Sequence, residues 1–190
     1  MFKRFFCLTG LFAFSLTAHA ALEVGDDAPL FEAEAALDGE VFVYSLAAAL
    51  EDGPVVVYFY PSAYTHGCNI QAHEFSVNMD EFEAAGASVI GVSLDGIDRL
   101  VDFSADPEYC AGNLAVASDT LGEVAGAFDL NVRDEVAGAE DTRGVEIGHG
   151  FAERVTFVVM PDGEIAATIG GVSPTDNVRQ SLEFVQALEL

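Results

Sequence analysis

Basic residues are scarce in this sequence of 190 residues, which has seven lysines and arginines against 32 aspartates and glutamates. Such a surface disfavours nucleic acid and anionic lipid as partners, because binding to phosphates depends mainly on basic side chains. The acidic excess has a simpler explanation in general solvation, since a large net charge keeps a protein soluble, above all in a salty medium that screens self-repulsion. The sequence therefore predicts an acidic protein without a nucleic-acid partner.

Long hydrophobic runs are also missing. The apolar segment 5–16 is too short to span a bilayer as a helix. The basic pair Lys3-Arg4 precedes it and the segment AHA, at 18–20, follows it, which is typical of a secretory signal peptide. We therefore expect residues 1–20 to be cleaved, leaving no stable membrane anchor, and we expect an exported protein, located in the bacterial periplasm.

Cysteine is scarce too, because only Cys68 and Cys110 remain once residues 1–20 are removed. This excludes a scaffold held together by many disulfides. The two thiols can form one disulfide, or they can be one reactive thiol and one bystander. Residues 21–190 suffice for one domain with a full core and are too few for two domains of ordinary size, so we expect a single domain.

Short apolar runs alternate with helix-like stretches, which favours an α/β fold. Residues 30–36 and 41–44, joined across LDGE, predict an N-terminal β-hairpin. VVVYFY and VIGVSL predict two buried central strands, with one amphipathic helix over 68–85 between them. The remaining elements are predicted as helices over 99–105, 122–128 and 175–188 and as strands over 114–117, 155–159 and 165–169. Residues 129–150 are acidic, rich in glycine and without periodicity, which predicts a surface excursion.

The segment YPSAYTHGCNIQAHEFS, residues 60–76, places Cys68 at the expected start of that helix. A thiol reacts as the thiolate, and a helix N-terminus beside a cation favours the thiolate form. Thr65, three residues earlier, can offer its hydroxyl to the sulfur or to a bound oxygen atom. Pro61 would shape the turn and shield the sulfur from solvent. The spacing therefore indicates a nucleophilic thiol.

The pattern Pro61-x-x-x-Thr65-x-x-Cys68 after a buried strand resembles the active-site motif of the peroxiredoxins. The segments VGDDAPLFEAEAALDGEVFVYSL, GASVIGVSLD and ERVTFVVMPDGEI extend the resemblance over nearly the whole chain after residue 20. TxGCxxxAxxF is most similar to the bacterioferritin-comigratory-protein, or peroxiredoxin Q, group. The resemblance implies a thioredoxin-like fold, with a central mixed sheet flanked by helices and the hairpin added. It also implies a monomer or weak dimer that reduces hydrogen peroxide or organic hydroperoxides with a thiol reductant.

Four residues take catalytic roles by this resemblance. Cys68 corresponds to the peroxidatic cysteine, which becomes a sulfenic acid, and Thr65 to the threonine that hydrogen-bonds sulfur and peroxide. Pro61 corresponds to the shielding proline, and Arg154 to the arginine that stabilises the thiolate and the departing oxygen. The chemistry also favours a cation here, because breaking an O–O bond leaves negative charge on the departing oxygen. The alternative for Arg154 is an ion pair at a strand end.

Two positions depart from the peroxiredoxin Q pattern. His73 stands where the group often has a second cysteine, five residues after the first, so a short-range disulfide is excluded. Gln71 stands where a glutamate is common, and it can accept a hydrogen bond from the arginine but supplies no charge.

Cys110 resembles the resolving cysteine of a variant of this group, which implies a disulfide between Cys68 and Cys110 as an intermediate. Disulfide geometry requires the two Cα atoms to lie within about 7 Å, so local unwinding is expected. The alternative is a buried, inert Cys110 in a one-cysteine enzyme that an external thiol resolves.

His66, two residues before Cys68, can tune the thiolate or is simply a surface histidine. The sequence has no zinc-site spacing, phosphate loop or dinucleotide fingerprint, so it predicts neither a metal nor a cofactor. A disulfide oxidoreductase of the thioredoxin type would need C-x-x-C, whereas residues 65–68 read THGC. The remaining alternative is a non-catalytic thioredoxin-fold module for binding, copper handling or redox sensing.

Overall fold

The computed structural model describes residues 21–188, which form a sheet with helices on both faces. The expected signal peptide, residues 1–20, lies outside the described residues. The described strands are β1 Glu32–Leu37, β2 Glu40–Ser45, β3 Val55–Phe59, β4 Ser88–Ser93, β5 Ala115–Ser118, β6 Val132–Arg133, β7 Phe151–Ala152, β8 Val155–Val159 and β9 Ile165–Gly170. The described helices are α1 Leu46–Ala49, α2 His66–Val77, α3 Met79–Ala84, α4 Ile97–Ala105, α5 Glu123–Ala127 and α6 Pro174–Gln186. In this part of the chain, no helix has the length and apolar character needed to cross a bilayer.

Seven of these strands form one mixed sheet in the order β2-β1-β5-β4-β3-β8-β9. The three central strands β5, β4 and β3 are parallel, whereas β1, β2, β8 and β9 pair antiparallel with their neighbours. Parallel neighbours need a crossover, which α2 and α3 supply between β3 and β4. The predicted α/β fold, with a mixed sheet flanked by helices and an N-terminal hairpin, is confirmed.

Both faces of the sheet are covered, and the residues of β3 pack alternately against one face and the other. Val56 and Tyr58 point into a core shared with α2, α3, α4 and α6, whereas Val55, Val57 and Phe59 point into a second core on the other face. Successive strand residues face opposite sides, so a strand covered on both faces needs the continuous apolar run that this sequence has.

The N-terminal hairpin turns at Asp38 and Gly39, whose φ angles are 50° and 78°. Both lie in the left-handed region, which the favoured two-residue hairpin turn requires and which aspartate and glycine tolerate well. This agrees with the turn predicted at LDGE.

The prediction of one helix over residues 68–85 is wrong, because α2 and α3 are separate helices that meet at Asn78. The Asn78 side-chain Nδ2 donates to the Glu74 carbonyl at 2.7 Å, and its backbone N–H turns instead to the Phe75 carbonyl at 3.2 Å. The side chain thus takes the acceptor that helix continuation would use. Helix α2 also begins at His66, two residues before the predicted start.

Two short features were not predicted from the sequence: α1 and the pair formed by β6 and β7. Elements of four and two residues are too short to show a hydrophobic period. The β6–β7 pair depends on contacts between segments far apart in the chain.

Candidate active site

The candidate site lies at the edge of the sheet where β3 ends and β8 begins. Phe59, the last residue of β3, pairs with Val92 of β4 on one side and with Val155 of β8 on the other. The loop after β3 leads to Cys68, and Arg154 directly precedes β8. The register of the sheet therefore brings these two residues to the same edge, although they are 86 positions apart in the chain.

Cys68 is the third residue of α2 and is buried, with 2% of its surface exposed. Its backbone N–H donates to the Thr65 carbonyl at 3.0 Å, so the helix is already formed at the thiol. The N–H groups of a first helical turn point out of the N-terminus, which favours negative charge at that end. The thiol therefore lies where a thiolate is stabilised.

Arg154 reaches across the edge to the cysteine. Its Nη2 lies 3.2 Å from Cys68 Sγ, and its Nη1 donates to Gln71 Oε1. Gly67 leaves room for this approach, because a Cβ at that position would lie 3.2 Å from Arg154 Nη2. The guanidinium is thus held between the sulfur and an amide of the same helix. Gly67 was not singled out from the sequence, since a glycine before a helix start is common.

Gln71 is fully buried and connects Arg154 to a second polar group, formed by Asn177 and Thr156. Its Nε2 donates to Asn177 Oδ1 at 2.8 Å, and Thr156 Oγ1 donates to the same oxygen at 2.6 Å. Asn177 Nδ2 donates to the Ile169 carbonyl at 3.0 Å. Sequence reasoning missed both partners, because a threonine in an apolar strand and an asparagine in a helix carry no signal of their own.

The other predicted residues of the motif, Thr65 and Pro61, lie in the loop between β3 and α2. Thr65 is half-buried, and its hydroxyl donates to the Ser62 carbonyl at 2.9 Å. Within residues 21–188, no hydrogen bond joins this hydroxyl to the sulfur. Pro61 is half-buried, two residues after β3. Contacts therefore join the cysteine, the arginine and the glutamine, while the roles of Thr65 and Pro61 stay predictions.

His66 is exposed and borders an open cavity of about 490 Å³ on the outer side of α2. The far wall of this cavity includes Glu108 and Tyr109, next to Cys110 in the chain. No hydrogen bond to His66 is seen among the described residues, so its effect on the thiolate stays a prediction. The same part of the chain contains no group of three His, Cys, Asp or Glu side chains that could hold a metal ion.

Asp95 holds the loop before α2 from the interior. Its buried carboxylate accepts hydrogen bonds from Ser62 Oγ at 2.8 Å and from Ala63 N at 2.7 Å. Arg99 Nε and His149 Nε2 each lie 2.9 Å from its Oδ1. Burial alone would raise the pKa of Asp95, but the hydrogen bonds, led by that from His149, hold it below its ordinary value. Burial alone would lower the pKa of His149, but the hydrogen bond to Asp95 holds it above its ordinary value.

The segment 129–150 is mostly exposed, as predicted, but it is anchored to the loop before α2. Thr142 donates twice to the Tyr64 carbonyl, from its backbone N–H at 2.9 Å and from Oγ1 at 2.8 Å. Tyr64 has a φ of 60°, which is uncommon for a tyrosine, and the Arg143 guanidinium lies 3.2 Å from the centre of its ring. The segment therefore holds the loop between β3 and α2 in place, which its lack of periodicity did not indicate.

Cys110 is fully buried in the turns after α4, and neither it nor Cys68 is part of a disulfide. Both belong to the same hydrophobic core. Burial raises the pKa of the Cys110 thiol, and the nearby Asp106 carboxylate adds to this. The thiol is thus protonated and inaccessible in this conformation.

The chain was compared with protein-family models, with curated proteins and with solved structures. The model described as the AhpC/TSA family matches residues 24–168. Among curated proteins, the chloroplast 2-Cys peroxiredoxin BAS1 of Spinacia oleracea is 27% identical over 171 residues, covering 87% of this chain and 59% of that protein. Peroxiredoxin Bcp of Xanthomonas campestris is 29% identical over 111 residues, covering 58% of this chain and 62% of that protein.

Solved structures are also similar to this chain. Peroxidoxin BcpB of Mycobacterium tuberculosis superimposes with a TM-score of 0.73 and 27% identity, covering 89% of this chain and 99% of that one. The chain thus spans less than two thirds of the spinach and Xanthomonas proteins but nearly all of the mycobacterial structure.

Proposed function

Because this chain belongs to the AhpC/TSA family, as a peroxiredoxin of the Bcp and PrxQ group, we propose that it is a peroxidase that reduces hydroperoxides with the Cys68 thiolate. The observation that carries the proposal is the contact of 3.2 Å between Arg154 Nη2 and Cys68 Sγ at the start of α2. A fixed cation beside a thiol at a helix N-terminus is the arrangement that thiolate attack needs.

The reaction follows from this geometry. The thiolate attacks the terminal oxygen of the hydroperoxide, the O–O bond breaks, and the sulfur keeps the oxygen as a sulfenic acid. The remaining alkoxide or hydroxide takes a proton and leaves as an alcohol or water. Arg154 stabilises the charge that develops on that oxygen. Thr65 and Pro61 act in this proposal as the hydrogen-bond donor to the peroxide and as the shield of the sulfur.

We propose that Cys110 resolves the sulfenic acid. Its thiol displaces the hydroxyl from Cys68, which forms the disulfide and releases water, and an external thiol reductant then reduces the disulfide. The positive φ angle of Ala111, 51°, supports a turn that can rearrange, because it places a strained residue directly after Cys110. The rearrangement would expose a thiol that is now buried.

One experiment tests both steps. Reduced protein receives one equivalent of hydrogen peroxide, free thiols are blocked, and tryptic peptides are analysed by mass spectrometry. Arg99 separates the two cysteines, so their peptides stay joined only through a disulfide. Joined peptides support both steps, and a Cys110→Ser variant should then accumulate oxidised Cys68. Separate peptides with oxidised Cys68 contradict the resolving role alone, whereas two unmodified thiols contradict the peroxidase and favour a non-catalytic binding module.

The location and the partners are also proposals. The pattern of residues 1–20 supports export to the periplasm, where the protein should begin at Ala21, and recovery of cytosolic protein that retains Met1 would contradict this. Likeness to the Bcp and PrxQ group supports a thiol reductant as redox partner. It also supports a monomer or weak dimer, which sedimentation of the reduced protein measures.

A further inference from the structure

Asn177, on α6, is fully buried although it carries a polar amide and does not touch the thiol. Its side chain is hydrogen-bonded at both the oxygen and the nitrogen of the amide. Its Oδ1 accepts from Gln71 Nε2 and from Thr156 Oγ1, and its Nδ2 donates to the Ile169 carbonyl. A backbone carbonyl can only accept, so Nδ2 must face Ile169 and Oδ1 must face Gln71. The orientation of the Asn177 amide is therefore fixed by the backbone of β9.

The Asn177 amide determines the orientation of the Gln71 amide. Thr156 Oγ1 and Gln71 both face the Asn177 oxygen, and of the two ends of the Gln71 amide only Nε2 can donate to it, so Gln71 Oε1 is turned towards Arg154. A flipped Gln71 would set Nε2 against the guanidinium and Oε1 against the Asn177 oxygen, and both pairs would repel. A carboxylate at this position would not need such control, because its two oxygens are equivalent acceptors. A glutamine needs an outside group to orient it.

We propose that Asn177 is a positioning residue for peroxide reduction. It fixes the direction of the Gln71 amide, which in turn holds the Arg154 guanidinium against the Cys68 sulfur. This inference rests on the proposed peroxidase function. Its consequence is that Asn177 acts on the reaction only through Gln71.

The test is a double-mutant cycle in full-length protein, with Asn177→Leu, Gln71→Leu and the double variant. We measure the second-order rate constant of Cys68 oxidation by hydrogen peroxide and the pH at which alkylation of Cys68 is half-maximal, both in a Cys110→Ser background. Displacement of a reacting group by about 1 Å can cost about 100-fold, so Asn177→Leu should lower the rate constant about 10- to 100-fold. It should also move the alkylation midpoint to higher pH. In the Gln71→Leu background, the same substitution should change the rate less than about threefold.

A matched control and a conservative variant separate positioning from packing. Ser181→Ala removes another fully buried polar group of α6, whose hydroxyl donates only to the Asn177 backbone carbonyl, and it should leave rate and midpoint unchanged. Asn177→Asp keeps an acceptor for Gln71, and its protonated carboxyl can donate to the Ile169 carbonyl in place of Nδ2, so it should retain the rate within about threefold. If Asn177→Leu does not fold, the rate constant of Asn177→Asp tests the positioning role instead.

Three outcomes would overturn the inference: a folded Asn177→Leu variant with the parent rate and midpoint, additive effects in the cycle, or an Asn177→Asp variant as slow as Asn177→Leu. The parent protein is the separate check on the proposed function. If it does not react with peroxide, the peroxidase proposal fails. If it reacts and the cycle is additive, only the role of Asn177 fails.

Discussion

A single guanidinium serves two partners in this site. Arg154 contacts the Cys68 sulfur through Nη2 and the Gln71 oxygen through Nη1. An arginine can do both because its planar fork of donors is rigid, whereas a lysine offers a compact charge on a flexible stem. Catalysis should therefore depend on the fork as well as on the charge.

Replacing Arg154 with methionine should lower the rate constant for reaction with hydrogen peroxide about 10²- to 10³-fold, the usual cost of removing one group that stabilises charge in the transition state. Stopped-flow measurement of peroxide consumption checks this. Arg179→Met is the control, because Arg179 is exposed and, within residues 21–188, pairs only with Asp176 and Glu183 of its own helix. A rate within threefold of the parent for Arg154→Met would contradict the prediction.

Gly91 has no side chain, and this leaves room for the Tyr58 ring in the core next to the site. A Cβ at Gly91 would lie 2.5 Å from the Tyr58 hydroxyl and Cζ. Tyr58 cannot move aside, because its ring stacks on Phe75 with centroids 4.4 Å apart and on Tyr60 at 5.3 Å. Gly91 is therefore a requirement of packing.

Gly91→Ala should lower the free energy of unfolding by about 1–3 kcal/mol, the usual cost of overfilling a core. Gly126→Ala is the matched control, because that glycine lies exposed in α5 with no atom within 4 Å of the added Cβ. It should raise stability by about 0.5–1 kcal/mol, since alanine favours helix more than glycine does. Urea unfolding measures both, and equal stability of the two variants would show the reasoning to be wrong.

At the scale of elements, the catalytic loop between β3 and α2 is held by other segments of the chain. Asp95, after β4, binds it from the interior, and Thr142, in the segment 129–150, binds it from outside. His149 joins the two supports, because it belongs to that segment and pairs with Asp95. The His149–Asp95 pair therefore links the two segments that hold the loop.

This pair should make stability depend on pH. The pKa of His149 is raised in the folded state, so its contribution is complete below the unfolded value of about 6.5 and is lost as pH rises through the folded value. The pKa of Asp95 is lowered, so its contribution is present above about 3.9 and is lost as pH falls through the folded value. The charge of Arg99, beside the pair, opposes protonation of His149.

His149→Gln keeps a donor for Asp95 and removes the charge. We expect it to lower the free energy of unfolding by about 1 kcal/mol near pH 5.5 and by less near pH 9. The expected loss is small because the His149 side chain is partly exposed, and solvent weakens its attraction to Asp95. Urea unfolding at several pH values measures the difference. In an Asp95→Asn background, the pH dependence of the difference should disappear, and a difference constant from pH 5.5 to pH 9 in the parent background would refute the role of the pair.

At the scale of the whole molecule, the charge is the dominant feature. A formal net charge of −25 makes the folded state repel itself, and compactness increases this repulsion. The ion pairs described above involve few of the acidic residues, so most carboxylates depend on solvent and salt for screening.

Sodium chloride should therefore stabilise the protein. Raising its concentration from about 10 mM to about 1 M shortens the Debye length from about 30 Å to about 3 Å. A recovery of about 1 kcal/mol would raise Tm by about 2–4 °C in a chain of this size. Calorimetry measures the change, and an osmotically matched sucrose series separates screening from general exclusion effects. A Tm that falls or stays constant in sodium chloride would contradict the argument.

Features that depend on neighbours in the chain could be predicted from local sequence patterns. The apolar run of β3, the hairpin turn at Asp38 and Gly39, and the placement of Cys68 near a helix start all follow from local patterns. Arg154 could be singled out as well, because it is one of few arginines and opens an apolar strand.

The contacts that hold these groups together became visible only in the folded chain. The bond between Gln71 and Asn177 joins residues 106 positions apart, and the bond between Tyr64 and Thr142 joins residues 78 apart. A buried asparagine and an exposed one read alike in a sequence, because burial is a property of the segments packed around a residue. The physical reason is that a sheet sets the distance between its loops through its register, and the register arises from all its strands at once.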